Sequence, residues 1–214
     1  MKLTKYITSG RNAILGIALL LLAGTQYAQN TPPNLNRASD YDVQHYILRV
    51  SFDRPAKKVI GDTTVRLKPT KDGLKRVTLD SVGIVYTSVV LESNRQPLKF
   101  NTNGGSISVD LDRAYSPNET IGIRFKYTAI PKKGIYFVPG QKGGDGLIGH
   151  SDQIWTQGEP DEARHWFPSF DFPSDKATTE QYITANRNET VIGNGALAEK
   201  ISNPDGTVTH HYKM

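Results

Sequence analysis

Apolar and polar positions alternate along most of the chain beyond residue 40. Every second residue is apolar in Tyr46, Leu48, Val50 and Phe52, and Thr63, Val65 and Leu67 alternate with Thr64, Arg66 and Lys68. Ile107, Val109 and Leu111 alternate with Ser106, Ser108 and Asp110. The cleanest run is Ile121, Ile123, Phe125 and Tyr127, interleaved with Gly122, Arg124 and Lys126. A period of two is the signature of strands with one buried face. Further strands are expected at 75–80, 82–92, 134–138, 178–185, 190–199 and 207–213. Turn chemistry separates the runs: KDG at 71–73, NTNGG at 101–105, YSPNE at 115–119 and NPDG at 203–206. No later stretch carries a helical stripe. The pattern predicts one largely antiparallel all-β domain, a sandwich or a curved saddle, over residues 41–214.

Before it, Lys2, Lys5 and Arg11 precede the apolar run Ala13–Ala23, and the segment ends TQYAQN. An apolar run of about 11 residues suits a signal peptide and falls short of the ~20 that span a bilayer. Residues 1–28 are therefore expected to be a signal peptide, cut after Ala28, although Gln26 is not the usual small residue at its position. Residues 29–40, rich in Pro and Asn, read as a flexible lead-in. The mature protein is expected to be exported, periplasmic or extracellular, with no stable membrane span once the signal is removed.

Charge then changes little. The formal net charge is +5, of which the leader supplies +3, leaving +2, too little for a nucleic-acid footprint. The chain has no cysteine, which excludes disulfides, thiolate metal sites and cysteine nucleophiles. The five histidines His45, His150, His165, His210 and His211 form no HExxH pair, so no helical zinc site is expected. His210 and His211 fall on opposite faces of a strand and suit one ion poorly. The Gly-rich run 139–149 lacks the Lys-Ser/Thr ending of a phosphate cradle and reads as a hairpin loop.

One segment departs from the pattern. IWTQGEPDEARHWFPSFDFPSDK, residues 154–176, gathers Trp155, Trp166, Phe167, Phe170 and Phe172 with Glu159, Asp161, Glu162, Asp171 and Asp175. Its acids admit a glycosidase pair, but acids beside Pro-rich turns are commoner as caps and rims, as expected for Asp171 and Asp175. Glu159 likewise admits a turn-capping role just before Pro160. The aromatics Trp155, Trp166 and Phe167 are expected to pack onto the sheet. An aromatic platform for peptide, glycan or a protein partner on a non-catalytic module is the rival reading.

The ordered pieces Gln157-x-Glu159, His165-Trp166-Phe167-Pro168, Asp171-x-Pro173, Asp175-Lys176-Ala177-Thr178 and the run from Val191 to Gly195 resemble the N-terminal β domain of the M1 zinc aminopeptidases, above all their secreted bacterial members. YDVQHYILRVSFD (41–53), Gly61-x-Thr63 and LDSVGI (79–84) extend the resemblance upstream. It implies a saddle-shaped β domain packed against a catalytic domain that lies outside this sequence, together with the family's GxMEN and HExxH motifs. It also implies zinc in the full-length enzyme, with no ligand from this chain, and an isolated chain that hydrolyses nothing. By the same resemblance Glu159 binds the α-amino group of a peptide substrate and Gln157 lines the pocket beside it. Glu rather than Gln at 159 leans toward a plain aminopeptidase.

Overall fold

The computed structural model describes residues 39–144 and 148–214. The expected signal peptide, residues 1–28, and most of the expected lead-in, 29–40, lie outside the described residues. Twelve strands follow in order: β1 Tyr41–Asp53, β2 Lys58–Pro69, β3 Leu74–Asp80, β4 Ile84–Leu91, β5 Lys99–Thr102, β6 Ser106–Tyr115, β7 Ile121–Ala129, β8 Ile135–Val138, β9 Gln153–Thr156, β10 Thr178–Asn186, β11 Ala196–Ser202 and β12 Thr207–Lys213. The helical content among the described residues is one 3-10 turn, Ala163–His165.

Seven strands form the large sheet in the order β11-β12-β10-β1-β2-β7-β4, and β3-β6-β5 form a second. Strands β8 and β9 make a separate hairpin. Neighbours pair antiparallel except β1 and β10, which run parallel, His45 opposite Thr178 and Val50 opposite Ile183. The two main sheets share one apolar core. Val65, Ile123 and Phe125 enter it from the large sheet, and Val77, Ile107 and Val109 from the small one, all fully buried.

Local irregularities set which residues face inward. A register shift between Val43 and His45 adds a residue to β1 against β2. Inward positions therefore switch from Tyr41 and Val43 to Tyr46, Leu48 and Val50, as a bulge requires. Gly61 has its own reason: a Cβ there would lie 2.1 Å from the Tyr127 ring. That ring crosses the glycine to reach Thr63, with 2.9 Å between the two hydroxyls.

The alternating runs are strands as expected. Two four-residue strands, β5 and β9, escape the alternation because so few residues establish no period. The strand expected at 190–199 starts later, at Ala196. Residues 187–195 instead form turns ending at Gly195, whose φ of 87° interrupts an extended chain.

The outward face of the large sheet is a charge ladder. Arg124 grips Asp62 through both carboxylate oxygens, and Arg66 grips Glu92 at 2.8 and 2.6 Å. Glu180 accepts a contact from His211 Nε2 at 2.8 Å and faces His45 Nε2 at 3.6 Å. His211 also stacks on Tyr182, with 3.9 Å between ring centres.

Candidate functional site

The segment after β9 is built on the β8–β9 hairpin. Tyr136 and Trp155 are opposite each other in its register, and their rings stack with centres 4.6 Å apart. Beyond Thr156 the ladder continues for one more bond, from Gln157 N–H to the Gly134 carbonyl at 3.0 Å. Gln157 is thus held as an extension of the strand. The chain then passes through Gly158 and the cis peptide Glu159–Pro160 into a turn closed by Glu162 N–H on the Gly158 carbonyl, 2.9 Å. Both Gln157 and Glu159 are exposed, and the Glu159 carboxylate has no hydrogen-bond or ionic partner among the described residues.

Two polar clamps fix this turn. On the hairpin side, the Glu162 carboxylate accepts the Tyr136 hydroxyl at 3.0 Å and Gly134 N–H at 3.1 Å, with Lys133 at 3.5 Å. The Tyr136 bond, more than any other influence, holds the Glu162 carboxyl below its usual range. Gly134 is required here: at φ 78° it passes so close that a Cβ would lie 2.1 Å from the Glu162 carbonyl oxygen.

On the core side the clamp is Arg164. Its backbone N–H and Nε donate to Asp171 Oδ2 at 3.0 and 2.9 Å, and Nη2 reaches the Asp171 carbonyl at 2.9 Å. Nη2 also lies 3.1 Å from Asp161, two residues beyond Glu159, and Nη1 lies 3.9 Å from Asp80. Asp80, at the end of β3, accepts Asp171 N–H at 3.0 Å, and its backbone exchanges two hydrogen bonds with Ser169. One guanidinium therefore ties both arms of the segment to the small sheet.

The aromatics divide. Trp166 and Phe167 pack on the core as expected, with Phe167 edge-on to Tyr46. Trp155 corrects the expectation: it is 44% exposed, because its strand faces the hairpin partner Tyr136 and not the sheet. Asp171 and Asp175 bind backbone N–H groups as expected of caps, Asp175 reaching Val43 N–H at 3.2 Å. At the start of the 3-10 turn neither acid caps it: the Glu162 carboxylate turns back to the hairpin, and the Arg164 N–H of the turn is accepted by Asp171.

A cleft of about 850 Å³ opens between the hairpin, the inward face of β1 and β10, and residues 188–194. Its wall includes Trp155, Thr156 and Gly158, and its floor Leu48, Val50 and Ile183. Among the described residues no group of three His, Asp or Glu side chains can hold a metal ion. The His45–Glu180–His211 cluster is spent on its own hydrogen bonds. This donor set does not fit a zinc site.

The residues that sequence reasoning left out are Tyr136, Glu162 and Arg164 in their bracing roles. A usable signal existed for one of them. Arg164 is the sole Lys or Arg between Ile154 and Phe172, in a stretch holding Glu159, Asp161, Glu162 and Asp171.

The described residues thus define an all-β domain that displays Gln157 and Glu159 at its surface from a braced hairpin. The profile of the peptidase M1 N-terminal domain matches residues 42–214, and the chain belongs to that family. A protein described as probable aminopeptidase 1, from Sulfurisphaera tokodaii, is 35% identical over 132 residues, 60% of this chain and 15% of that protein. The crystal structure of the M1 zinc metallopeptidase of Deinococcus radiodurans is 25% identical, with a TM-score of 0.68 over 81% of this chain and 39% of that one. A variant of that metallopeptidase bound to a Tyr-Ser-Ala substrate is similar at 24% identity and a TM-score of 0.68, which speaks for the fold. The chain spans well under half the length of these proteins. No helix among the described residues is long and apolar enough to cross a membrane.

Proposed function

We propose that this chain is the N-terminal domain of an exported zinc-dependent aminopeptidase, in which Glu159 binds the α-ammonium group of a peptide substrate and Gln157 lines the adjoining pocket. The observation that carries the reading is the family match across 42–214 together with the exposed Gln157-Gly158-Glu159 on its clamped turn. An exopeptidase must register its substrate on the N-terminus. A carboxylate on a clamped turn does this by a charge-assisted hydrogen bond to the ammonium, and holding the turn beforehand lowers the cost of orientation. The zinc, which supplies Lewis-acid chemistry when bound, belongs to residues outside this chain. What these residues do is bind and orient. Export rests on the character of residues 1–28.

The test is made in the polypeptide extended through its catalytic domain. A charge-assisted hydrogen bond is worth about 1.5–3 kcal/mol, and more is lost when the ammonium is left unpaired. Glu159→Ala is expected to lower kcat/KM by roughly 10- to 1000-fold on substrates with a free α-amine, and Glu159→Gln by less. Near-wild-type kinetics for Glu159→Ala, at unchanged melting temperature, would end the anchor reading.

A further inference from the structure

Trp155 is a large indole left 44% exposed, yet its position is fixed. One face lies on Tyr136 at a tilt of 24°, and the Tyr136 hydroxyl is in turn held by Glu162. The same Glu162 carboxylate holds Gly134, whose carbonyl receives Gln157 N–H. The indole and the Gln157–Glu159 turn are therefore parts of one rigid unit. An indole fixed in this way offers apolar area at little further cost in conformational entropy.

Placement adds to this. Trp155 and Gln157 are two residues apart on a continuous extended strand, so their side chains leave on the same face about 6–7 Å apart. Glu159 lies at most about 14 Å from Trp155 along the backbone, with Gln157 between them. An α-amine and its side chain branch from the same carbon, so a residue anchoring the amine brings that side chain within reach of the indole. Trp155 also lines the large cleft. Two carboxylates line that cleft, and each has a partner: Glu189 pairs with Arg54, and Asp152 accepts Gly140 N–H.

We propose that Trp155, braced on Tyr136, is a specificity-determining wall for the side chain of the substrate's N-terminal residue, favouring large apolar and aromatic residues. This rests on the reading of Glu159 as the amine anchor.

The experiment measures kcat/KM on aminoacyl-coumarin substrates of phenylalanine, leucine, alanine and arginine, using the polypeptide extended through its catalytic domain. Trp155→Ala is expected to cut the phenylalanine and leucine values about 10- to 100-fold more than the alanine value, in line with the discrimination apolar pockets achieve. Trp155→Phe is expected to restore most of that preference, and Tyr136→Phe to weaken it slightly. Equal losses on all four substrates would overturn the proposal, as would a loss confined to arginine, the mark of a cation–π site. Glu159→Ala, run in parallel, separates the two readings. If it lowers all four values while Trp155→Ala leaves their ratios unchanged, the wall fails and the anchor stands. If Glu159→Ala changes nothing, the anchor fails and the proposal falls with it.

Discussion

The two-sheet core and the segment from Gln153 to Asp175 are held together by different physics. In the core, the inward residues of β7, and of β6 from Ile107 to Leu111, are apolar at every second position, and no single contact decides the outcome. In the segment, Trp166, Phe167 and Phe170 pack on the core, but the turn at 157–162 is positioned by a few polar bonds. Glu162 fastens the turn to the hairpin and Arg164 fastens it to Asp171, Asp161 and Asp80. Burial spreads stability over many side chains, whereas a clamp concentrates geometric control in one. The exposed turn that carries Gln157 and Glu159 is positioned by the second arrangement.

The contrast is broken most forcefully from the core. Phe125 is fully buried at the centre of the apolar cluster. Phe125→Ala is expected to cost about 3–5 kcal/mol, the range for a large buried aromatic. Chemical denaturation of the Thr31–Met214 chain should record it as a cooperative loss in both sheets. A change under 1 kcal/mol would mean that the core relaxes around the cavity.

Arg164→Ala should have a smaller global effect, about 1–3 kcal/mol, since the guanidinium is partly solvated while Asp171 loses its counter-charge in a buried place. Its mark should be local. Hydrogen exchange is expected to accelerate over residues 158–172 while β2 and β7 keep their protection. Uniform acceleration would place Arg164 in the same cooperative unit as the core.

Acidification probes the polar contacts alone, and with the smallest effect. Hydrogen bonds from Arg66 hold Glu92 low; at Glu180 burial pushes upward, but the bonds from His211 and Tyr182 outweigh it. Glu162 is held low by Tyr136. Carboxyls lowered in the fold contribute fully above their ordinary value of 4.5 and lose that contribution as pH falls through the lowered values. His45 is lowered chiefly by burial, so its protonation opposes folding as pH falls below 6.5. Asp175, raised by burial, acts in the opposite sense. The melting temperature should hold above pH 7, decline gently below 6.5 and more steeply below 4.5. His45→Gln should remove the gentle decline, and a melting temperature that rose between pH 6.5 and 4.5 would contradict the assignment.

The same contrast explains what could be read from residues alone. Ile121 to Tyr127 announces β7 because alternation is local and repeated. Val191 and Ile192 mislead for the same reason: two apolar β-branched residues imitate a strand, while the bond from the Tyr212 hydroxyl to the Val191 carbonyl holds them in a loop. The positions of Gln157 and Glu159 came from an ordered motif, since alternation says nothing of them. The bracing of their turn pairs Glu162 with Tyr136 and Asp171 with Asp80, partners tens of residues apart, and such pairings leave no periodic trace. Trp155 shows the cost. Composition suggested burial for an indole, and a hairpin partner not evident from the sequence pattern left it partly exposed.

The parallel pairing of β1 with β10 governs the order in which the domain can assemble. Partners such as His45 and Thr178 are 133 residues apart, and everything from β2 to β9 forms the crossover between them. Strands β1 and β2 can zip as a hairpin when the first thirty residues of the domain are free. One edge of β1, however, must wait until β10 has left the ribosome. Closing so long a loop costs entropy before any bond is returned, and high contact order slows folding accordingly. During synthesis the first strand of the domain is thus an open edge, and its last strands are what end that exposure.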